Sequence, residues 1–170
     1  MESGISRGGK LATPGVLYSR LVIRCRPPDE YDLTIQAERK VGKSGLFIGI
    51  LAGGRQTMIL LDARDGTVSG LNLLDGRSAG INEAKARGGI FPQDQQVTIT
   101  CEVRKSGILV RSGDSKIIDW QGDLKRLSLA AEWPVEDTSA LFLGSTNTSY
   151  IIHSAILTPI SGPGEIVTPH

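Results

Sequence analysis

Aromatic residues are scarce in this 170-residue chain: two Trp, three Tyr and three Phe make 5%. A surface built to stack ligands on rings would have little to draw on. Cysteine is scarcer still. Cys25 and Cys101 form no CxxC pair, and the two histidines, His153 and His170, add no Cys/His cluster with zinc-ligand spacing. No metal and no cofactor is expected. Neither sign of charge dominates, since 19 Lys plus Arg against 18 Asp plus Glu leaves +1. That balance argues against a duplex nucleic-acid partner, which would call for a basic stripe. No apolar run approaches the ~20 residues of a membrane-spanning helix. Met1 to Lys10 carries Arg7 and Lys10 but no apolar region, so it reads as a lead-in and not as a secretion signal. Long 3.6-residue apolar stripes with caps are missing, which disfavours a helical domain.

What the chain does have is glycine, 21 residues of it, and period-two alternation. Val16 to Arg26 alternates until Pro27-Pro28, where proline removes ladder donors. Tyr31, Leu33, Ile35 and Ala37 alternate with Asp32, Thr34, Gln36 and Glu38. Strands are expected next at Leu46 to Ala52, Arg55 to Ala63 and, after the Asp65-Gly66 turn, Thr67 to Leu74. Gln96 to Arg104, Ile108 to Ser112, Lys116 to Trp120, Leu141 to Ser145 and Tyr150 to Thr158 complete the set. Gly122 to Leu129 has room for one helical turn with Asp123 as its N-cap. Ten or so short strands with regular turns predict an all-β fold, a two-sheet antiparallel jelly-roll sandwich over residues 15–160. Residues 1–14 are expected as a flexible lead-in and 161–170 as a flexible tail, as in a domain from a larger chain. Cys25 and Cys101 fall in core register, as small buried hydrophobes or as a disulfide between strands.

Two strands break the one-dry-face rule of sandwiches. Leu46, Ile48 and Ile50 share one face of their strand, while Phe47 and Leu51 occupy the other, and Met58 to Leu61 reads the same way. A strand dry on both faces needs a cover. The long aperiodic stretch from Asp75 to Gln95 is the natural candidate and reads as a lid or binding loop.

Several segments in this order resemble concanavalin A-like, laminin G-like jelly rolls. They are Tyr31 to Glu38 followed by Gly45 to Ile50, Val97 to Val103 with the hairpin leading to Ile118 to Asp123, and Leu141 to Ser145 followed by Tyr150 to Ile156. Together they are similar to the bacterial branch that includes 3-keto-disaccharide hydrolase-type domains. The resemblance implies a carbohydrate-related fold over roughly residues 16–160. The chain departs from it where many relatives have Phe-Arg-Asn-Ile and this sequence has His153-Ser154-Ala155-Ile156. The Glu-x-Asp-x-Glu signature of retaining glycosidases is also absent.

The candidate chemistry follows from these expectations. Glycoside hydrolysis needs two facing carboxylates. Asp62 could supply one, with Asp75, Glu83 or Asp119 as partner, although no two share a strand at i, i+2 and Asp62 equally well starts a turn. His153 is expected to share a face with Ile151, Ala155 and Leu157, as a partly buried histidine or as a ligand-contacting or acid/base one. Trp120 reads as core or rim, and Trp133, before Pro134, as a loop platform for a sugar ring. Arg55, Gln56, Asn72, Arg77, Asn82 and Arg87 surround the central hairpin and long loop, and their planar polar groups suit a polyol. The Gly42-Lys43-Ser44 sequence lacks the first P-loop glycine and reads as a turn. The expected function is carbohydrate recognition without catalysis, with Arg55, Asp62, Asn82, Arg87 and Trp133 around one groove. The alternatives are a glycoside hydrolase and a structural interaction module.

Overall fold

The structure, a computed structural model, describes residues 11–13, 15–16, 19–133 and 137–166. Among them the chain forms β1 (Leu11–Ala12), β2 (Ser19–Ile23), β3 (Cys25–Arg26), β4 (Tyr31–Val41), β5 (Leu46–Ala52), β6 (Arg55–Asp62), β7 (Val68–Asn72) and β8 (Ala86–Arg87). It continues through β9 (Gln96–Arg104), β10 (Gly107–Ser112), β11 (Ser115–Gln121), β12 (Leu141–Ser145), β13 (Ser149–Pro159) and β14 (Glu165–Ile166). The first sheet runs β1-β13-β4-β9-β10-β11 and the second β2-β12-β5-β6-β7-β8, with β3 and β14 as a separate two-stranded ribbon. Neighbouring strands pair antiparallel. This is the two-sheet jelly-roll sandwich that the alternation predicts.

Period two builds the core. Tyr31, Leu33, Ile35 and Ala37 of β4 and Ile99, Cys101 and Val103 of β9 face inward from the first sheet. Leu46, Ile48, Ile50, Ile59 and Leu61 meet them from the second. Tyr31 also ties the layers with a polar bond. Its hydroxyl donates to the Leu51 carbonyl at 2.7 Å and accepts from the Leu51 N–H at 3.1 Å. Burial pushes this phenol above its ordinary range, so it remains a neutral donor. The Tyr150 hydroxyl does the same for the turn after β4, donating to the Ser44 carbonyl at 2.8 Å.

Strands β5 and β6 of the second sheet are dry on both faces, as their sequence predicts, but their cover differs from the expected one. Phe47, Met58 and Phe142 on the outer face are sealed by Ala130 and Trp133. The chain leaves β11 at the edge of the first sheet and must reach β12 inside the second. The crossing segment passes over the outer face and brings its apolar residues with it. Backbone bonds pin it: Leu73 N–H donates to the Ser128 carbonyl at 2.7 Å and Ser128 N–H returns one to Leu73 at 3.2 Å. The segment opens with one 3-10 turn at Leu124–Arg126, whose N-cap Asp123 accepts from the Lys125 N–H as its sequence position predicts.

The stretch 75–95 instead closes the side of the sandwich. Ala86–Arg87 pairs with Val68–Ser69 at the edge of the second sheet, and Ile90 and Phe91 enter the main core, where Phe91 meets Tyr150 edge to face at 5.2 Å. Asp62, only 1% exposed, holds this loop in place. Its carboxylate accepts from the Ile90 N–H at 2.9 and 3.0 Å and from the Phe91 N–H at 2.8 Å. A second clamp is Arg126, which ion-pairs with Asp75 at 2.6 Å and Glu83 at 2.9 Å and lies 5.8 Å over the Trp120 ring.

Three further features depart from the alternation. A β-bulge between Ile152 and Ser154 shifts β13, so Tyr150, Ile152, Ala155 and Leu157 face the core while His153 lies on the outer face beside Glu38. The expected strand Val16 to Arg26 is broken at Arg24 into β2 and β3. Leu11–Ala12, inside the expected lead-in, pairs with Ile151–Ile152, and Glu165–Ile166, inside the expected tail, pairs with Cys25–Arg26. The rest of the expected lead-in and tail, residues 1–10, 14 and 167–170, lies outside the described residues, as does Pro134.

Cys25 and Cys101 are both buried and are not joined in a disulfide. Burial, with a smaller contribution from Asp32, pushes the Cys101 thiol up to about 12. Only a thiolate attacks electrophiles. At pH 8 an alkylating reagent should therefore leave Cys101 unmodified in the folded protein and modify it after denaturant is added, as read by mass spectrometry of the peptides. Replacing Asp62 with Ala strands two buried N–H groups, each costing about 1–3 kcal/mol. Urea unfolding of Asp62→Ala should show a loss of roughly 3 kcal/mol. Asp62→Asn should lose less, because its amide oxygen still accepts and Asn tolerates the left-handed backbone at this position (φ 61°).

Candidate functional site

Of the five residues expected around one groove, the fold brings two together. Arg55 starts β6 and Trp133 lies within the segment that crosses from β11 to β12, and both line a cleft of about 430 Å³ beside the outer face of the second sheet. Gln56, Ser128, Leu129 and Thr138 complete its walls. That volume lies in the range of small-ligand sites, about 300–1,000 Å³. A smaller hollow of about 170 Å³, lined by Glu102, Arg104, Leu109, Asp119 and Gln121 among others, lies on the first sheet and falls below that range.

The cleft forms because the strand ends and the crossing segment approach without closing. Arg55 follows the Gly53-Gly54 turn, in which both glycines have positive φ. Its side chain is exposed, and no hydrogen bond or ion pair holds it among the described residues. Gln56 is buried, and its Nε2 donates to the Ala140 carbonyl at 2.7 Å, which fixes the plane of its amide. Trp133 is only 5% exposed. Its ring stacks on Phe142 at 6.3 Å and meets Phe47 edge on at 5.3 Å. It is therefore a packed wall, not the open platform that a loop position suggests. Gly49 and Gly144 make this packing possible, since a Cβ at Gly49 would run into the Phe142 ring and one at Gly144 would come within 2.7 Å of Trp133.

The other three expected residues are elsewhere. Asp62 ends β6 seven residues from Arg55, or about 23 Å along a strand, and its carboxylate is committed to the Ile90 and Phe91 N–H groups. Asn82 is used within the long loop. Its Nδ2 donates to the carbonyls of Leu71 and Arg77, and its Oδ1 accepts from the Ala84 N–H. Arg87 is exposed on β8, paired with Val68 at the far edge of the sheet. The walls at Ser128, Leu129 and Thr138 carry no sequence signal, because they belong to aperiodic segments placed only by the crossing.

The carboxylates considered for hydrolysis are also distributed by the fold. Asp75 and Glu83 meet on one guanidinium, that of Arg126. Arg126 holds Asp75 below the usual carboxylate range, and Trp120 Nε1–H, then Arg126, do the same for Glu83. Both are thus kept ionised in a clamp. Asp119 pairs with Lys116 at 3.2 Å. On the outer face of the first sheet, His153 Nε2 lies 3.0 Å from Glu38, whose carboxyl is lowered first by Lys40 and then by His153. Trp120 is 4% exposed and serves as core, bonded to Glu83 through its indole N–H at 2.9 Å.

No protein-family model matches the chain, and no curated protein matches it in sequence. Solved structures do match. The chain is similar to carbohydrate binding module CBM66 from Bacillus subtilis, with 7% identity over 86% of this chain and 85% of that one, at a TM-score of 0.60. It is similar to the Caenorhabditis elegans galectin LEC-6, with 12% identity over 91% and 99% and a TM-score of 0.52. It is also similar to the exoplasmic/lumenal domain of VIP36 in a Ca2+/Man-bound form, with 12% identity over 95% and 82% and a TM-score of 0.57. At such identities the likeness concerns architecture, and the chain has the lectin-like, concanavalin A-like jelly-roll sandwich fold.

Proposed function

We propose that this chain is a carbohydrate-recognition domain and that the cleft between Arg55 and Trp133 is its ligand site. The observation that carries the reading is the composition of the cleft. A guanidinium with no bond among the described residues, an amide with its plane fixed and the hydroxyl-bearing Ser128 and Thr138 border an apolar wall of Leu129 and Trp133. Planar donors and acceptors suit vicinal hydroxyls, and an apolar wall suits the C–H face of a sugar ring. The similar structures, a carbohydrate binding module, a galectin and a Man-bound lumenal domain, support the same reading. Asp62, Asn82 and Arg87 enter it only as the framework behind the sheet edge.

Sugar hydroxyls exchange water bonds for protein bonds at little net gain, about 1 kcal/mol per bond. On a glycan array followed by calorimetry, binding should therefore be no tighter than about micromolar, or ~8 kcal/mol. Arg55→Ala should weaken it about tenfold, near the 1.4 kcal/mol of one good charged bond, while leaving the melting temperature unchanged. A blank array would sink the proposal in favour of a structural interaction module. Turnover of a 3-keto-disaccharide would replace it with the hydrolase reading that the sequence resemblance suggests.

A further inference from the structure

Four exposed arginines, Arg20, Arg24, Arg26 and Arg55, stand near the cleft. Arg20, Val22 and Arg24 point away from the core, since Ile23 and Cys25 between and beside them are buried. They therefore stand on the outer face of the second sheet, the face that carries the cleft. Register fixes their neighbours: Arg20 lies opposite Gly144, over which the Trp133 ring packs, and Val22 lies opposite Phe142. Arg24, the residue after β2, is exposed like Arg20 and Val22, while the Ala140 carbonyl opposite the end of β2 is held by the cleft residue Gln56. Arg26 reaches the same rim, donating from Nη2 to Ser139 Oγ at 3.1 Å, next to the cleft-lining Thr138. Three strand spacings separate β2 from β6, about 14 Å, and Arg55 lines the cleft from the β6 side.

Among the described residues, the carboxylates near this rim form no ion pair with Arg20, Arg24 or Arg55. Nor does any hydrogen bond among the described residues engage the side chains of Arg20, Arg24 or Arg55. Asp137, on the rim, is turned to Ser139, accepting from its N–H at 2.9 Å and its hydroxyl at 2.5 Å. Arg26 lies 3.9 Å from Glu165, at the long limit of an ion pair. Glu132, beside Trp133, is exposed.

We infer that the preferred ligand of this cleft is an acidic glycan, one whose sugar units carry carboxylates, with Arg55 binding one anionic group and Arg24 and Arg20 a neighbouring one. The inference rests on the carbohydrate reading of the cleft. A guanidinium fork matches a carboxylate through two parallel N–H···O bonds, which are stronger than bonds to a neutral hydroxyl. An arginine in the cleft and others about three strands away select for charge repeated along a chain, not for a single acid group.

The test is calorimetric titration of the full chain with a trimer of α-linked galacturonic acid and with the galactose trimer of the same linkage, at low and at high salt. The acidic trimer should bind about tenfold more tightly at low salt, and the advantage should shrink as salt screens it. Arg55→Gln should remove most of the advantage and Arg24→Gln a smaller part. Lys105→Gln, an exposed charge in the β9–β10 turn, should leave it intact. Equal binding of the two trimers overturns the inference, as does an advantage that survives Arg55→Gln or falls equally in Lys105→Gln. If neither trimer binds while a glycan array finds a neutral ligand, the acidic preference fails and the carbohydrate reading stands. A blank array removes both.

Discussion

A sheet that is apolar on both faces cannot be left with one face in water, and this constraint organises the molecule. Phe47, Met58 and Phe142 need a third layer over the second sheet. Fully burying each such side chain contributes about 1.5–3 kcal/mol. The crossing from β11 to β12 provides that layer, with Ala130 and Trp133 as its apolar contacts. The layer covers the sheet incompletely. Where the crossing stands away from the start of β6, the 430 Å³ cleft opens. The packing requirement and the candidate site thus have one origin: the segment that seals the sheet also forms a wall of the cleft.

The long loop solves a separate problem at the side of the sandwich. One part of it meets Trp120 through Glu83, and a later part enters the core beside Tyr150 through Phe91. With Ile90 and Phe91 in the core, their backbone N–H groups sit away from water and need acceptors. The buried Asp62 carboxylate supplies them. Arg126 adds a second fixation by gathering Asp75 and Glu83 from the loop against the Trp120 ring. Both anchors use residues whose chemistry in isolation suggests catalysis. In the fold their oxygen atoms are spent on holding a loop.

The two sheets differ in what they offer a ligand. The outer face of the first is covered by half-buried polar residues that bond largely to one another, as in the Gln96 to Gln36 contact at 3.0 Å, the His153–Glu38 pair and the Arg104–Asp32 pair at 2.9 Å. The outer face of the second combines an apolar wall with arginines that no described partner engages. A near-zero net charge hides this asymmetry, since composition sums over both faces. Electrostatic selection depends on where the charges stand within about 10 Å of the ligand, the screening length in ordinary buffer.

Much of the architecture could be read from residues alone. Strand boundaries at Leu46–Ala52, Gln96–Arg104 and Leu141–Ser145, the core register of Cys25 and Cys101, and the Asp123 cap all follow from local rules, because period two and capping act over a few neighbouring residues. The two dry faces of β5 and β6 were legible for the same reason. Their cover was not, since it is chosen by how the chain must cross between sheets. Nor was the side of His153, because a single-residue bulge moves it to the other face and leaves no mark in the pattern. Arg55 and Trp133 meet across 78 positions of sequence, while Arg55 and Asp62, seven apart, are held at opposite ends of one strand. Sequence by itself determined the elements and their buried sides, through local sterics and hydrophobic periodicity. Only the tertiary structure decided which polar groups bond to the backbone and which remain beside the cleft, because hydrogen-bond satisfaction is settled by contacts between distant segments.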